Sequence, residues 1–99
     1  MNFKINGKVP IQSNNPTMPI EMVDFPNSKT FKSLYGAKLS QASLDKYWDV
    51  LKARFNGATL ENAGKPYSLT RERVRQIESK FIQLLTKHHK SLYATKHSL

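Results

Sequence analysis

From Ser40 onward, apolar residues return with a helical beat. Leu44, Tyr47, Trp48, Leu51 and Phe55 fall at i, i+3, i+4, i+7 and i+11, which predicts an amphipathic helix ending near Asn56-Gly57. Thr59 then precedes Leu60-Glu61-Asn62-Ala63-Gly64, a short second helix, and Lys65-Pro66-Tyr67-Ser68-Leu69 reads as a turn. Thr70 is placed to cap a third helix running to about Lys87, with Val74, Ile77, Phe81, Leu84 and Leu85 on one stripe. Helix, short helix, turn and helix in this order is the helix-turn-helix layout. The expected fold is therefore mainly α: a small helix-turn-helix domain over residues 40–88, preceded by an irregular or short β segment.

Ahead of Ser40 the beat is absent. Four of the five prolines (Pro10, Pro16, Pro19, Pro26) fall within residues 1–27, with Ser13-Asn14-Asn15 between them, and helix is not expected there. Asn6-Gly7, between Phe3-Lys4-Ile5 and Lys8-Val9-Pro10-Ile11, is a type I′ hairpin signal that Pro10 weakens. Ile20 to Phe25 reads as a short strand or an extended docking peptide, so an ordered mini-sheet and a disordered arm both fit. Ser28 is placed to cap a short helix over Lys29–Tyr35, stopped by Gly36. Three segments are expected: an arm and short helix over 1–39, the helical domain over 40–88, and a basic tail over 89–99.

Composition narrows the function classes. A chain of 99 residues holds one small domain with some flank, and its 38% apolar share lies below the usual roughly 45–50% counted with Gly, so part of it is expected not to pack. Without cysteine there is no disulfide, thiol nucleophile or thiolate metal site. No apolar run approaches the ~20 residues that span a bilayer, and residues 1–7 lack the apolar stretch of a secretory signal. The formal charge of +9 and pI near 10.0 favour a polyanionic partner. Residues 43–99 carry eleven Lys/Arg against five Asp/Glu, and residues 1–42 carry five against two.

The third helix sharpens that reading. At about 100° per residue, Val74, Ile77, Phe81 and Leu85 share one side, while Glu72, Gln76, Ser79 and Gln83 lie opposite. Arg71 and Arg75 fall along one margin, Arg73 and Lys80 along the other. An ordinary surface helix offsets its charges with Glu–Lys pairs. Here the outer face is hydrogen-bonding in the middle and cationic at both edges, which suits a major groove walled by phosphates. Gln pairs bidentately with adenine, Arg with guanine, and Glu accepts from cytosine N4. Because the first residues of such a helix reach deepest, Arg71, Glu72, Arg75 and Gln76 are the candidate base readers. The plainer alternative is a solvated basic face on a structural helix.

The run from Thr59 to Lys65 and the run Leu69-Thr70-Arg71-Glu72-Arg73-Val74-Arg75-Gln76-Ile77-Glu78-Ser79-Lys80 resemble the fourth region of sigma-70 family sigma factors. The family pattern is T-L-E-E-[VI]-G-K, a short turn, then [VL]-T-R-E-R-[IV]-R-Q-I-E-x-K. Upstream, Val50-Leu51-Lys52-Ala53-Arg54-Phe55 resembles the family's V-L-x-x-R-F, so the similarity covers roughly residues 43–87. The resemblance implies that Arg71, Glu72 and Gln76 contact bases of a −35-type promoter element. It implies that Arg73, Arg75 and Lys80 contact the backbone or a neighbouring activator, and that Lys46 and Arg54 reach phosphate from the preceding helix. It also implies docking on the flap of the RNA polymerase β subunit through apolar surface; the apolar residues there are Trp48, Phe55, Phe81, Leu84 and Leu85, most of which are expected in the core, so none is assigned to the flap. Departures from the pattern are Pro66 at the end of the second helix, Asn62 in place of a family Glu, and a short Asn56-Gly57-Ala58 link. Nothing in residues 1–42 resembles the second region with which sigma factors melt DNA.

The expected function is a sequence-specific transcription regulator, phage- or mobile-element-encoded, that reads a −35-like element in double-stranded DNA and works with or on bacterial RNA polymerase in the cytoplasm. Three mechanisms fit: the −35 half of a split sigma factor, displacement of a host sigma's own fourth region, or a repressor or activator with a sigma-like reading head. A different class is a module that inhibits or modulates polymerase or a sigma factor through protein contacts alone, such as an antitermination-type factor. The cluster Arg71, Arg73, Arg75 and Gln76 argues against it. Partner-specific contacts are expected, by elimination, in residues 1–42. Enzymatic chemistry, membrane association, a small-molecule substrate and a cofactor are not expected. His88-His89 and His97 sit in a basic stretch with no carboxylate or Cys to complete a metal site, and Asp45 and Asp49 look like solubilising charge beside Lys46 and Lys52.

Overall fold

Period-two alternation in the first segment and helical periodicity in the rest turn their apolar positions toward one interior. The computed structural model describes residues 7–12 and 19–97, with residues 93–97 as backbone only. Strands β1 (Lys8–Gln12) and β2 (Ile20–Asp24) pair antiparallel, with Val9 opposite Val23 and Ile11 opposite Glu21. Val9 and Ile11 point inward and are buried, while Lys8, Ile20, Met22 and Asp24 face out. Lys8 Nζ lies 2.6 Å from Asp24 Oδ1 and ties the end of the ribbon. Both strands of a two-stranded ribbon are edges, which is why Pro10 is accommodated.

Of the two readings left open for this segment, the chain adopts the mini-sheet. The partner differs from the hairpin expected at Asn6-Gly7, because β1 pairs across residues 13–18 with β2. The physical reason is burial: this register puts Val9, Ile11 and Val23 on a common face against the core. Gly7 turns the chain with φ +77, and its carbonyl accepts from the Phe25 N–H at 2.7 Å. Phe3, Lys4 and Ile5 lie outside the described residues.

Helix α1 (Ser28–Tyr35) begins one residue earlier than expected. Asn27, not Ser28, is its cap: Asn27 Oδ1 accepts from the Thr30 N–H at 2.8 Å, and Ser28 is already helical. Gly36, with φ +60, stops it and leads through a 3-10 turn at Gly36–Lys38. Helix α2 (Gln41–Phe55) is capped by Ser40, and α3 (Leu60–Gly64) by Thr59, whose hydroxyl accepts from the Asn62 N–H at 3.0 Å. Pro66 has no N–H to continue α3, and Lys65–Tyr67 forms a single 3-10 turn instead. Helix α4 (Arg71–His97) is the long element, running ten residues past the expected end at Lys87. Residues 71–97 contain neither Gly nor Pro, so nothing in the backbone ends the helix where its apolar stripe fades.

The core lies between the apolar side of α4 and everything before it. Phe31 and Tyr35 of α1, Leu44, Leu51 and Phe55 of α2, and Ile77, Phe81 and Leu85 of α4 form one buried cluster with Val9 and Ile11. Phe25 sits among the rings of Trp48 and Phe81, each with its centroid 5.3 Å away. Fully burying a side chain of this size contributes about 1.5–3 kcal/mol. The Tyr35 hydroxyl is buried without a hydrogen-bond partner, and burial pushes its ionisation far above the usual phenol range.

Candidate nucleic-acid interface

Packing and hydrogen bonds fix α3 and the turn against α2 and α4. At Gly64 a Cβ would stand 2.6 Å from Val74 Cγ2 and 2.9 Å from the Leu69 carbonyl oxygen, so only glycine lets α3 settle this close. Val50, Ala63 and Val74 close a second small buried cluster that joins α2, α3 and α4. At the turn, Ser68 takes the left-handed conformation (φ 56), and the Leu69 N–H donates to the Gly64 carbonyl at 3.0 Å. The Tyr67 hydroxyl donates to the Asp49 carboxylate, tying the turn to α2, and this hydrogen bond raises the phenol's ionisation above its usual value. Thr70 caps α4 through the Arg73 N–H at 3.1 Å.

With that frame in place, the polar side of α4 stands open. Arg71, Glu72, Arg73, Arg75, Gln76 and Lys80 are all exposed, while Val74, Ile77, Phe81 and Leu85 are buried beneath them. Glu72 and Arg75 form a bidentate pair, Arg75 Nε donating to Oε1 at 3.0 Å and Nη2 to Oε2 at 2.5 Å. The Arg75 hydrogen bond holds the Glu72 carboxyl below its ordinary value, so Glu72 remains an acceptor at any pH near neutral. Arg73 leans the other way: Nη2 donates to the Tyr47 hydroxyl at 2.7 Å, and its guanidinium lies 5.9 Å from the Tyr47 ring centroid. Four candidate base readers and two candidate phosphate contacts are thus gathered on one exposed surface.

Two further residues implicated in phosphate contact lie on α2. Lys46 is half-buried and adjacent to Tyr47, the residue that touches Arg73. Arg54 is occupied: Nε lies 2.9 Å from Glu78 Oε1, and Nη1 donates to the Ala58 carbonyl at 3.0 Å. Arg54 Nε and Glu78 Oε1 have no hydrogen-bond partner, so this contact is ionic and not directional. Arg54 therefore joins α2 to α4, with Nε and Nη1 both engaged within the fold. Sequence reasoning missed Tyr47, which the helical stripe assigns to the core, and Asp49, which reads as surface charge. Neither has a local signal, because Arg73 and Tyr67 meet them only once α4 and the turn have folded back on α2.

Residues 45–87 match the family model for Sigma-70, region 4. No match is found among curated proteins or among solved structures.

Proposed function

With residues 45–87 forming a sigma-70 region 4 helix-turn-helix domain, a DNA-binding regulatory domain, we propose that the protein regulates transcription by laying α4 in the major groove of a −35-like element. The observation that carries this reading is the division of α4 into a fully packed side and an open side of hydrogen-bonding and cationic residues. The β-ribbon lies on the packed side, so this chain does not shield its own reading face among the described residues.

Arg71, Glu72, Arg75 and Gln76 meet base edges. Glu72, ionised near neutral pH, offers an acceptor for cytosine N4, while the amide of Gln76 suits adenine. Arg73, Lys80 and Lys46 contact phosphate, and Arg54 braces the helix that presents them. The positive end of the α4 dipole, at Arg71, adds to the attraction. The protein works with or on RNA polymerase in the bacterial cytoplasm, with polymerase contact on apolar surface outside the groove.

The test is anisotropy titration of a −35-type duplex against a scrambled one. Arg71→Ala and Gln76→Ala are each expected to lose about 1–3 kcal/mol, or roughly 5- to 150-fold, on the −35-type duplex. If both variants bind as the parent does, the groove assignment is wrong. Retention of purified core polymerase on the immobilised protein tests the second half, and no association removes polymerase from the account.

A further inference from the structure

Base reading needs only the first turns of α4, yet the helix continues to His97. Along it, Arg73, Gln76, Lys80, Gln83, Lys87 and Lys90 recur at alternating steps of three and four, all exposed. They make one line over about 25 Å of helix. The other flank is held. Leu85 and Thr86 are buried, β1 packs against α4, and His89 Nε2 lies 3.5 Å from Glu21 Oε1 of β2. The ribbon therefore splints α4 beyond the helix-turn-helix head and leaves the basic line uncovered.

The charges on this stretch have little to offset them. From Ser79 to Leu99 there is no Asp or Glu, against four lysines and three histidines. A merely solvated helix gains from Glu–Lys pairs at i,i+4, whereas Lys87 and Lys90 sit one turn apart as like charges. The helix dipole does not account for them either. Its influence fades within the last turn, and Lys90 lies about two turns before the end at His97.

We propose that the C-terminal half of α4 is a second, sequence-independent DNA contact, in which Lys87 and Lys90 grip backbone phosphates of the duplex whose bases the N-terminal half reads. The inference rests on α4 being the groove-reading helix. A straight helix cannot follow a curved groove for its whole length. Past its first turns it rises across the phosphate rail, where cations and amides are useful and base-specific carboxylates are not. That is the composition of the line from Lys80 to Lys90.

The double variant Lys87→Ala/Lys90→Ala tests it, by anisotropy with a −35-type and a scrambled duplex of equal length between 50 and 200 mM KCl. Each phosphate contact contributes about 0.9 to the slope of log affinity against log salt. Across this fourfold range the parent is therefore expected to lose about 12-fold more affinity than the variant, with the −35-type to scrambled ratio unchanged. Lys29→Ala/Lys32→Ala on α1 removes the same charge from another exposed surface and should leave the slope as in the parent. Equal slopes for parent and Lys87/Lys90 variant overturn the inference, as does an equal effect of the α1 control. A variant that keeps DNA binding but loses core polymerase assigns the line to an acidic protein surface and overturns it too. A parent that binds neither duplex brings down the underlying reading of α4, which is a separate result.

Discussion

Replacing Arg54 with alanine separates a brace from a phosphate contact. The guanidinium sits 2.9 Å from Glu78 Oε1 with the two side chains 30% and 21% exposed, and it also supplies a donor to the Ala58 carbonyl. Breaking a fully buried ion pair from one side costs about 3–5 kcal/mol, and an exposed pair contributes about 0–1. A pair this far inside lies between, and loss of the Ala58 hydrogen bond adds about 0.5–1.5 kcal/mol. Together they put Arg54→Ala at about 2–3 kcal/mol of destabilisation. Glu78→Ala, which leaves the Ala58 contact in place, should cost about 1 kcal/mol less.

In a domain of this size each kcal/mol moves the melting temperature by about 4–8 °C, so Arg54→Ala should lower it by roughly 10 °C or more. Circular dichroism melts of the two single variants and the double variant give the coupling directly, expected at about 1–2 kcal/mol in favour of the pair. The same proteins titrated with duplex should keep the parent's salt slope when measured well below the melt. An unchanged melting temperature with a slope shallower by about 0.9 would mean that Arg54 is held by phosphate, and the bracing argument would be refuted.

Tyr35→Phe removes a buried hydroxyl that has no partner, and urea unfolding at neutral pH should show a gain of about 1 kcal/mol. Because the folded state raises this phenol above its ordinary 10.0, Tyr35 makes stability independent of pH below about 10 and subtracts from it as pH rises further; the phenylalanine variant should therefore fall less steeply between pH 9 and 11, and an equal fall counts against the assignment. Tyr47→Phe keeps the ring beside Arg73 and loses the acceptor at 2.7 Å, so DNA binding should weaken about 2- to 5-fold on all sequences alike with an unshifted melt. Gly64→Ala drives a methyl into Val74 and the Leu69 carbonyl and should cost about 1–3 kcal/mol in denaturant unfolding; a neutral result would mean that α3 can back away from α4. Deleting residues 1–39 strips four buried side chains, Val9, Ile11, Phe31 and Tyr35, from the core, about 6–12 kcal/mol at 1.5–3 each, and a cooperative melt of the remainder would contradict the packing described.

Much of the helical half was legible because its signals are local. Ser40, Thr59 and Thr70 cap the helices they precede, and the stripe Val74, Ile77, Phe81 and Leu85 is the buried side of α4. The end of α4 was not legible, since a helix persists in the absence of a breaker even where its apolar pattern thins. The ribbon was half legible: the strands show in the alternation, but their pairing spans residues 13–18 and is selected by burial against Phe31, Phe55 and Phe81, which no local window contains. For the interface, the exposed residue types could be read one turn at a time. The contacts that hold them, Arg73 to Tyr47, Arg54 to Glu78 and Tyr67 to Asp49, join distant positions and needed the tertiary structure.

The same facts give the first forty residues a place in the core. By elimination they are expected to carry partner contacts; Val9, Ile11, Phe31 and Tyr35 go to the core beneath α4, and the outer face of the ribbon stays open for a partner. Covering the apolar side of its first turns with this chain's own ribbon and α1 leaves that part of α4 its polar side to offer, and the ties from α2 limit how that side can tilt. Under the proposed function, a helix held this way loses little conformational freedom on entering a groove, so more of each hydrogen bond to a base survives as affinity and discrimination. Among the described residues, the large apolar side chains left exposed are Ile20 and Met22 on the outer face of the ribbon, Tyr67 at the turn and Leu92 further along α4. None of these residues belongs to the reading face. Under the proposed function, protein contacts and DNA contacts can therefore be made at once.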